Sequence, residues 1–304
     1  MKRRNFIKNS IYSSLLLSGS ALNFNSCMDS EQKKITILHT NDVHSHIEPF
    51  NENHAKFPSK GGVARRSTII ESIKSSNPNT LLLDAGDIFQ GTPYFNYYGG
   101  EIEFKLMSML NYDAATIGNH DFDNGIEGLY AQLPNAKFQF ISSNYDFRNT
   151  IMDSHAKTYM IFNKSDIKIG VFGLGIELKG LVNTSLYKET KYLDPIEVTQ
   201  EMTKILKEKE KCDLVICLSH LGHSYRDNSK KISDITLAKS TKNIDLIIGG
   251  HTHTFLDRPE IVTNIDGEKV IINQVGCFGL YLGQIDFYFD SMKNKTSNAY
   301  AIEV

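Results

Sequence analysis

The sequence predicts an α/β fold, on three observations. From Lys34 onward, short runs rich in Val, Ile and Leu alternate with amphipathic stretches. Several runs are apolar at every position, which suits strands covered on both faces. The last two strand-like runs follow closely on one another, pointing to a mixed rather than purely parallel sheet. A chain of 304 residues can bury a large core without a second domain. Its net charge of −2 does not suggest a nucleic-acid or membrane-surface binder. No hydrophobic run is long enough to span a bilayer.

In chain order, strands are expected at residues 35–39, 80–84, 114–117, 138–142, 167–172, 214–218, 244–248, 270–273 and 284–289. Helices are expected at 64–73 and 102–110. A further helix should open at Asp194-Pro195, which supply an N-cap acceptor and a proline at the first helical position. Its apolar stripe is Val198, Met202, Ile205 and Leu206, with lysines on the other face. No internal repeat or linker interrupts the pattern, so residues 34–304 are expected to form one catalytic domain.

The first residues read as an export leader. Paired Arg3-Arg4 followed by Phe6-Ile7-Lys8 resemble a twin-arginine signal, and the mildly apolar stretch that follows ends at Ser26-Cys27. Residues 1–26 are thus expected to be removed, with Cys27 lipidated and residues 27–33 as a short tether. An exported protein, periplasmic or at the cell surface and anchored to the membrane through that lipid, is the implied location. The leader holds four basic residues and no acid, so its loss makes the mature chain more acidic. Cys212 and Cys217 would fall on opposite faces of one strand, as small core residues rather than a disulfide or metal pair.

Polar residues cluster where the apolar runs end. The clusters are Asn41-Asp42-Val43-His44, Gly86-Asp87, Gly118-Asn119-His120-Asp121-Phe122-Asp123, His220-Leu221-Gly222-His223 and Gly249-Gly250-His251-Thr252-His253. If the strands share a sheet, the clusters meet on one edge. Carboxylates, an amide oxygen and imidazoles are ligands for a borderline divalent metal such as zinc or manganese. Six or more ligands exceed one tetrahedral ion and suit two ions sharing a carboxylate. Two such ions, about 3.5–4 Å apart, would lower the pKa of a bound water so that hydroxide forms near neutral pH.

This order of motifs resembles the calcineurin-like metallophosphoesterase superfamily and, within it, the catalytic domain of the 5′-nucleotidase family. The resemblance runs from about Lys34 to Phe289 and implies a sandwich of two mixed sheets flanked by helices. By matching position it implies one metal on Asp42, His44, Asp87 and His253. A second would lie on Asn119, His220, His251 and the bridging Asp87. His120 and Asp123 match the family's catalytic pair, while His46 and His223 match no ligand and Asp121 reads as a bystander. The implied substrate is a small phosphorylated molecule, above all a nucleoside 5′-monophosphate. A nucleotide sugar or cyclic nucleotide is the alternative, and a non-catalytic, metal-containing surface lipoprotein the reading from a different class.

The family's C-terminal substrate domain has no counterpart before Val304. Either a separately encoded chain supplies that domain, or the pocket is open and specificity broad. The rings of Tyr94-Phe95-Asn96-Tyr97-Tyr98 would then serve for docking or base stacking, unless they pack on the sheet.

Overall fold

The protein is described by a computed structural model covering residues 32–226 and 231–304; Cys27 and the leader lie outside these described residues. In chain order the first strands are β1 (Lys33–Thr40), β2 (Thr80–Asp84), β3 (Ala114–Ala115), β4 (Gln139–Phe140), β5 (Tyr145–Asp146), β6 (Tyr159–Lys164) and β7 (Ile167–Leu174). They continue with β8 (Lys191–Tyr192), β9 (Leu214–Ser219), β10 (Leu246–Gly249), β11 (Glu260–Thr263), β12 (Lys269–Asn273), β13 (Tyr281–Phe289) and β14 (Lys295–Glu303).

Two six-stranded mixed sheets result. One runs β14-β13-β1-β2-β3-β4 and the other β11-β12-β10-β9-β7-β6, with β5 and β8 pairing separately. Side chains alternate along each strand, so each sheet has two apolar faces. Ile35, Ile37, Leu81 and Leu83 from the first sheet pack on Leu214, Ile216, Leu218, Leu246 and Ile248 from the second. Leu38 and Leu82 face outward under the helices Val63–Ser76 and Glu101–Met109, which supply Ile70 and Phe104. On the opposite side Val215, Cys217 and Ile247 meet Val198 and Met202 of the helix Pro195–Lys204. The result is a four-layer helix–sheet–sheet–helix sandwich, as the resemblance implies.

Every expected strand region contains a strand, although the 138–142 run shrinks to Gln139–Phe140. The 114–117 run pairs only over Ala114–Ala115. The closely spaced 270–273 and 284–289 segments do not neighbour each other. The first runs parallel to β10, whereas the second runs antiparallel to β1 in the other sheet. The sheets are mixed for a different reason: antiparallel edge strands flank a parallel centre in the second sheet, whereas in the first β13 and β14 add antiparallel pairs on one side of the parallel β1-β2-β3-β4 block. The strands without a sequence signal are edges. β6 and β14 are largely exposed or half-exposed, so neither needs an apolar run.

The Asp194 carboxylate caps its helix as expected, accepting from the Ile196 and Glu197 amides at 2.8 and 3.0 Å. Cys212 lies just before β9, and it shares one buried cluster with Cys217 instead of facing away from it; both are free thiols. Among the described residues no helix is long and apolar enough to cross a membrane. Ile216 lies at the centre of the layer between the sheets with no solvent exposure. Ile216→Ala is expected to lower unfolding free energy by about 2–5 kcal/mol in urea titrations, by removing contacts from a layer that cannot collapse to fill the space. A loss below about 1 kcal/mol would contradict a packed inter-sheet layer.

Candidate metal centre

At the carboxyl ends of β1, β2, β3, β9 and β10, loops from both sheets converge. They do so in strained backbone. Asp42, His44, Asp87, His251 and His253 have φ of 50°, 50°, 55°, 72° and 52°. Non-glycine residues seldom enter this region, because Cβ crowds the neighbouring carbonyl. Bonds between loops hold the conformation: the Asp42, His44 and Ser45 amides donate to Gly86, Asp87 and Ile88 carbonyls at 2.9, 3.1 and 2.9 Å. The His251 amide in turn donates to both Asp42 carboxylate oxygens, at 2.9 and 3.1 Å. Strain that the surrounding structure over-determines in this way is a feature of functional sites.

Asp42, His44 and His253 bring one ligand-type atom each within 4.8 Å of one another, and Asp87, His220 and His251 do the same. Asp87 lies between the groups, its Oδ2 3.0 Å from His220 Nε2 and 3.8 Å from His44 Nε2. Asn119 Oδ1 sits 2.8 Å from His251 Nδ1. All seven residues read as ligands therefore share one site, although the five loops come from two stacked sheets and not from a single edge. His120 and Asp123 stand at its rim, with Nδ1 and Oδ2 2.8 Å apart and the His120 ring 5.3 Å from that of His44.

The donor set fits divalent cations. His44 Nδ1 faces the Phe89 carbonyl at 3.2 Å and His220 Nδ1 the Ala85 carbonyl at 2.7 Å. A proton held on each Nδ1 leaves the Nε2 lone pair free. His220 Nε2 is fully buried and has no hydrogen-bond partner, although the Asp87 oxygen is close. His44 Nε2 and His253 Nε2 approach to 3.0 Å. Pairs of acceptors aimed at a common point are what a cation requires.

Titration shifts agree. Burial opposes charge on His220, yet Asp87 and Asp42 lift its pKa to about 10. Hydrogen bonding to Asp42, with Cys277 adding to it, lifts His253 to about 10. Burial opposes ionisation of Asp87, but the His220, His44 and His120 imidazoles hold its carboxyl below the usual range. Burial instead lowers His44, and lowers His251 to about 4, so the imidazoles divide between those the carboxylates favour as charged and those burial keeps neutral. His120 is raised as well, first by its hydrogen bond to Asp123.

Several contributors were not legible in the sequence. Asp121 is no bystander: fully buried, it accepts from the amides of Asp87, Ile88, Phe89 and Gly118 at 3.1, 2.9, 3.1 and 2.8 Å. One carboxylate thereby fastens the Asp87 loop to the Asn119 loop. Asn41 likewise donates to Asp42 Oδ2 and the Gly276 carbonyl, each at 2.7 Å, and accepts from the Val275 amide at 3.0 Å. At Gly118 an added Cβ would collide with Asp87 Oδ1, so only glycine admits the approach. The signal for Asp121 was its place inside the glycine-led cluster, but nothing in spacing separates a ligand from the group that clamps it. His223 pairs with Glu260 at 2.9 Å and His46 stacks on Phe50, so neither enters the ligand groups. The 94–98 rings divide: Phe95 packs on Phe89, whereas Tyr97 and Tyr98 are exposed.

Two metal-type clusters at the carboxyl edge of a two-sheet sandwich define a metallophosphoesterase arrangement. The chain belongs to the calcineurin-like phosphoesterase family, whose model matches residues 35–255. It is 35% identical over 292 residues to the 5′-nucleotidase of Homo sapiens, covering 87% of this chain and 48% of that protein. It is 34% identical over 288 residues to the trifunctional nucleotide phosphoesterase protein YfkN of Bacillus subtilis (strain 168), covering 84% and 18%. The crystal structure of a 5′-nucleotidase precursor from Thermus thermophilus matches with a TM-score of 0.80 at 30% identity, covering 90% of this chain and 55% of that one. The chain thus spans about half or less of the length of these relatives.

Asp121→Ala is expected to weaken divalent-metal binding by about 10–100-fold, because the loops bearing Asp87 and Asn119 lose their common acceptor. Equilibrium dialysis against zinc or manganese measures this; unchanged affinity in a folded variant would contradict the clamp.

Proposed function

We propose that this chain is a phosphoester hydrolase using two divalent metals, zinc, manganese or a similar borderline ion, and that it releases phosphate from nucleoside 5′-monophosphates. The observation that carries the reading is the His120–Asp123 pair, 2.8 Å apart, at the rim of two ligand groups that share Asp87. Asp42, His44, Asp87 and His253 would hold one ion, and Asn119, His220 and His251 with Asp87 the other. Bound there, the cations supply Lewis-acid polarisation of a phosphoryl group and acidify water.

The chain's own groups do the rest. Asp123 accepts from Nδ1 of His120 and favours the imidazolium, leaving Nε2 as a donor for a phosphoryl oxygen or the departing alkoxide. The His120 amide donates to Asp87 Oδ1 at 2.8 Å, tying the dyad to the shared carboxylate. At 37% and 28% side-chain exposure, His120 and Asp123 can be reached by substrate, while Asp42, His44, Asp87 and His220 stay buried. A purely structural metal site has no use for such a pair, which disfavours the non-catalytic reading. Nucleotide relatives support the substrate class, and export through the leader with lipidation at Cys27 belongs to the same reading.

His120→Asn is expected to retain both metals by elemental analysis while losing about 10²–10⁴-fold in phosphate release, the usual contribution of a positioned acid. AMP, UDP-glucose and cyclic AMP are the substrates to compare. Full activity in His120→Asn would refute the dyad's role, and preference for either diester would replace the monophosphate assignment.

A further inference from the structure

A line of rings leaves the metal centre on the side of residues 46–57. Phe278 lies 6.0 Å from His44 and 5.8 Å from His253, centroid to centroid. His46 follows at 4.3 Å from Phe278, and Phe50 at 4.8 Å from His46, nearly parallel at 27°. His54 and Phe57 extend the line, 4.6 and 5.5 Å from Phe50. All five rings beyond the ligands are half-buried, so each still offers surface to solvent.

These rings are held in place. Phe278 has a φ of 62°, strained for a residue with a side chain, and its amide donates to the Asp42 carbonyl at 2.7 Å. The metal-binding loop itself therefore fixes the first ring of the line. The outer rings sit on a loop closed by its own bonds, from the Phe50 amide to the Lys60 carbonyl at 2.8 Å and from the Phe57 amide to His54 Nδ1 at 3.0 Å. Ring surfaces ordered before binding lose little entropy when a planar ligand stacks on them. The line of rings stays half-buried, and its first ring, Phe278, lies against two imidazoles of the metal centre.

We propose that Phe278, His46 and Phe50, extended by His54 and Phe57, form a leaving-group subsite for a planar heteroaromatic ring joined to the phosphate through a sugar-sized spacer. The catalytic chain then selects nucleotides with its own residues. This deepens the hydrolase reading above and rests on it. Phosphate at the metals and a base on Phe278 and Phe50 are the two ends of one substrate, and stacking on the rings accepts any base.

The test compares AMP with ribose 5-phosphate on the metal-loaded chain, since the two share phosphate and sugar and differ only in the ring. The wild type is expected to prefer AMP in kcat/KM. Phe50→Ala should lower that preference about tenfold, the scale of one base–aromatic stack. Phe50→Trp, which keeps a ring, should preserve it. Turnover of ribose 5-phosphate by each variant reports that the fold and metal centre are intact. Equal use of both esters by the wild type, or a preference that Phe50→Ala leaves unmoved, would overturn the subsite while leaving the hydrolase reading standing. Hydrolysis of neither ester by the metal-loaded wild type would overturn both.

Discussion

Two buried carboxylates set the terms for this molecule. Asp42 and Asp87 are almost wholly withdrawn from water and lie against the imidazoles of His44, His220 and His253. A buried carboxylate is costly unless positive charge compensates it. No lysine or arginine pairs with either one among the described residues; imidazoles surround them instead. Divalent cations meet that requirement, and they explain why Nε2 of His220 is left without a hydrogen-bond partner.

The fold can be understood as the frame that makes this arrangement possible. Five loops must meet, and two packed sheets that each contain parallel strands bring that many carboxyl ends together. The left-handed backbone at five of the seven residues proposed as ligands is the local cost. Asp121, Asn41 and the inter-loop backbone bonds offset it by giving each loop a fixed partner. Glycine at 118 is required by the same crowding, since a single added carbon would collide with Asp87.

Much of this was legible in the sequence because buried parallel strands write themselves as apolar runs, and the polar residues that follow stand out. Ile35–Ile37, Leu81–Leu83, Leu214–Leu218 and Leu246–Ile248 are of this kind, and all carry the site at their ends. Edge strands such as β14 leave no such trace, because most of their side chains face water. Sheet membership was illegible too, since Val270–Asn273 and Gln284–Phe289 are close in sequence but belong to different sheets. Within the site, residue type and spacing pointed to the side chains that the fold brings together in two groups, with the His120–Asp123 pair beside them. They did not reveal Asp121, because a carboxylate that organises backbone amides has the same sequence appearance as one facing solvent.

The central claim is that Asp87 joins two cations into one catalytic unit. Stripping the purified chain with a chelator and adding zinc or manganese back, while following bound metal and phosphate release from AMP together, tests it directly. Two equivalents of metal per chain are expected, with activity returning only as the second binds. Full activity at one equivalent, or activity undiminished by stripping, would contradict the account.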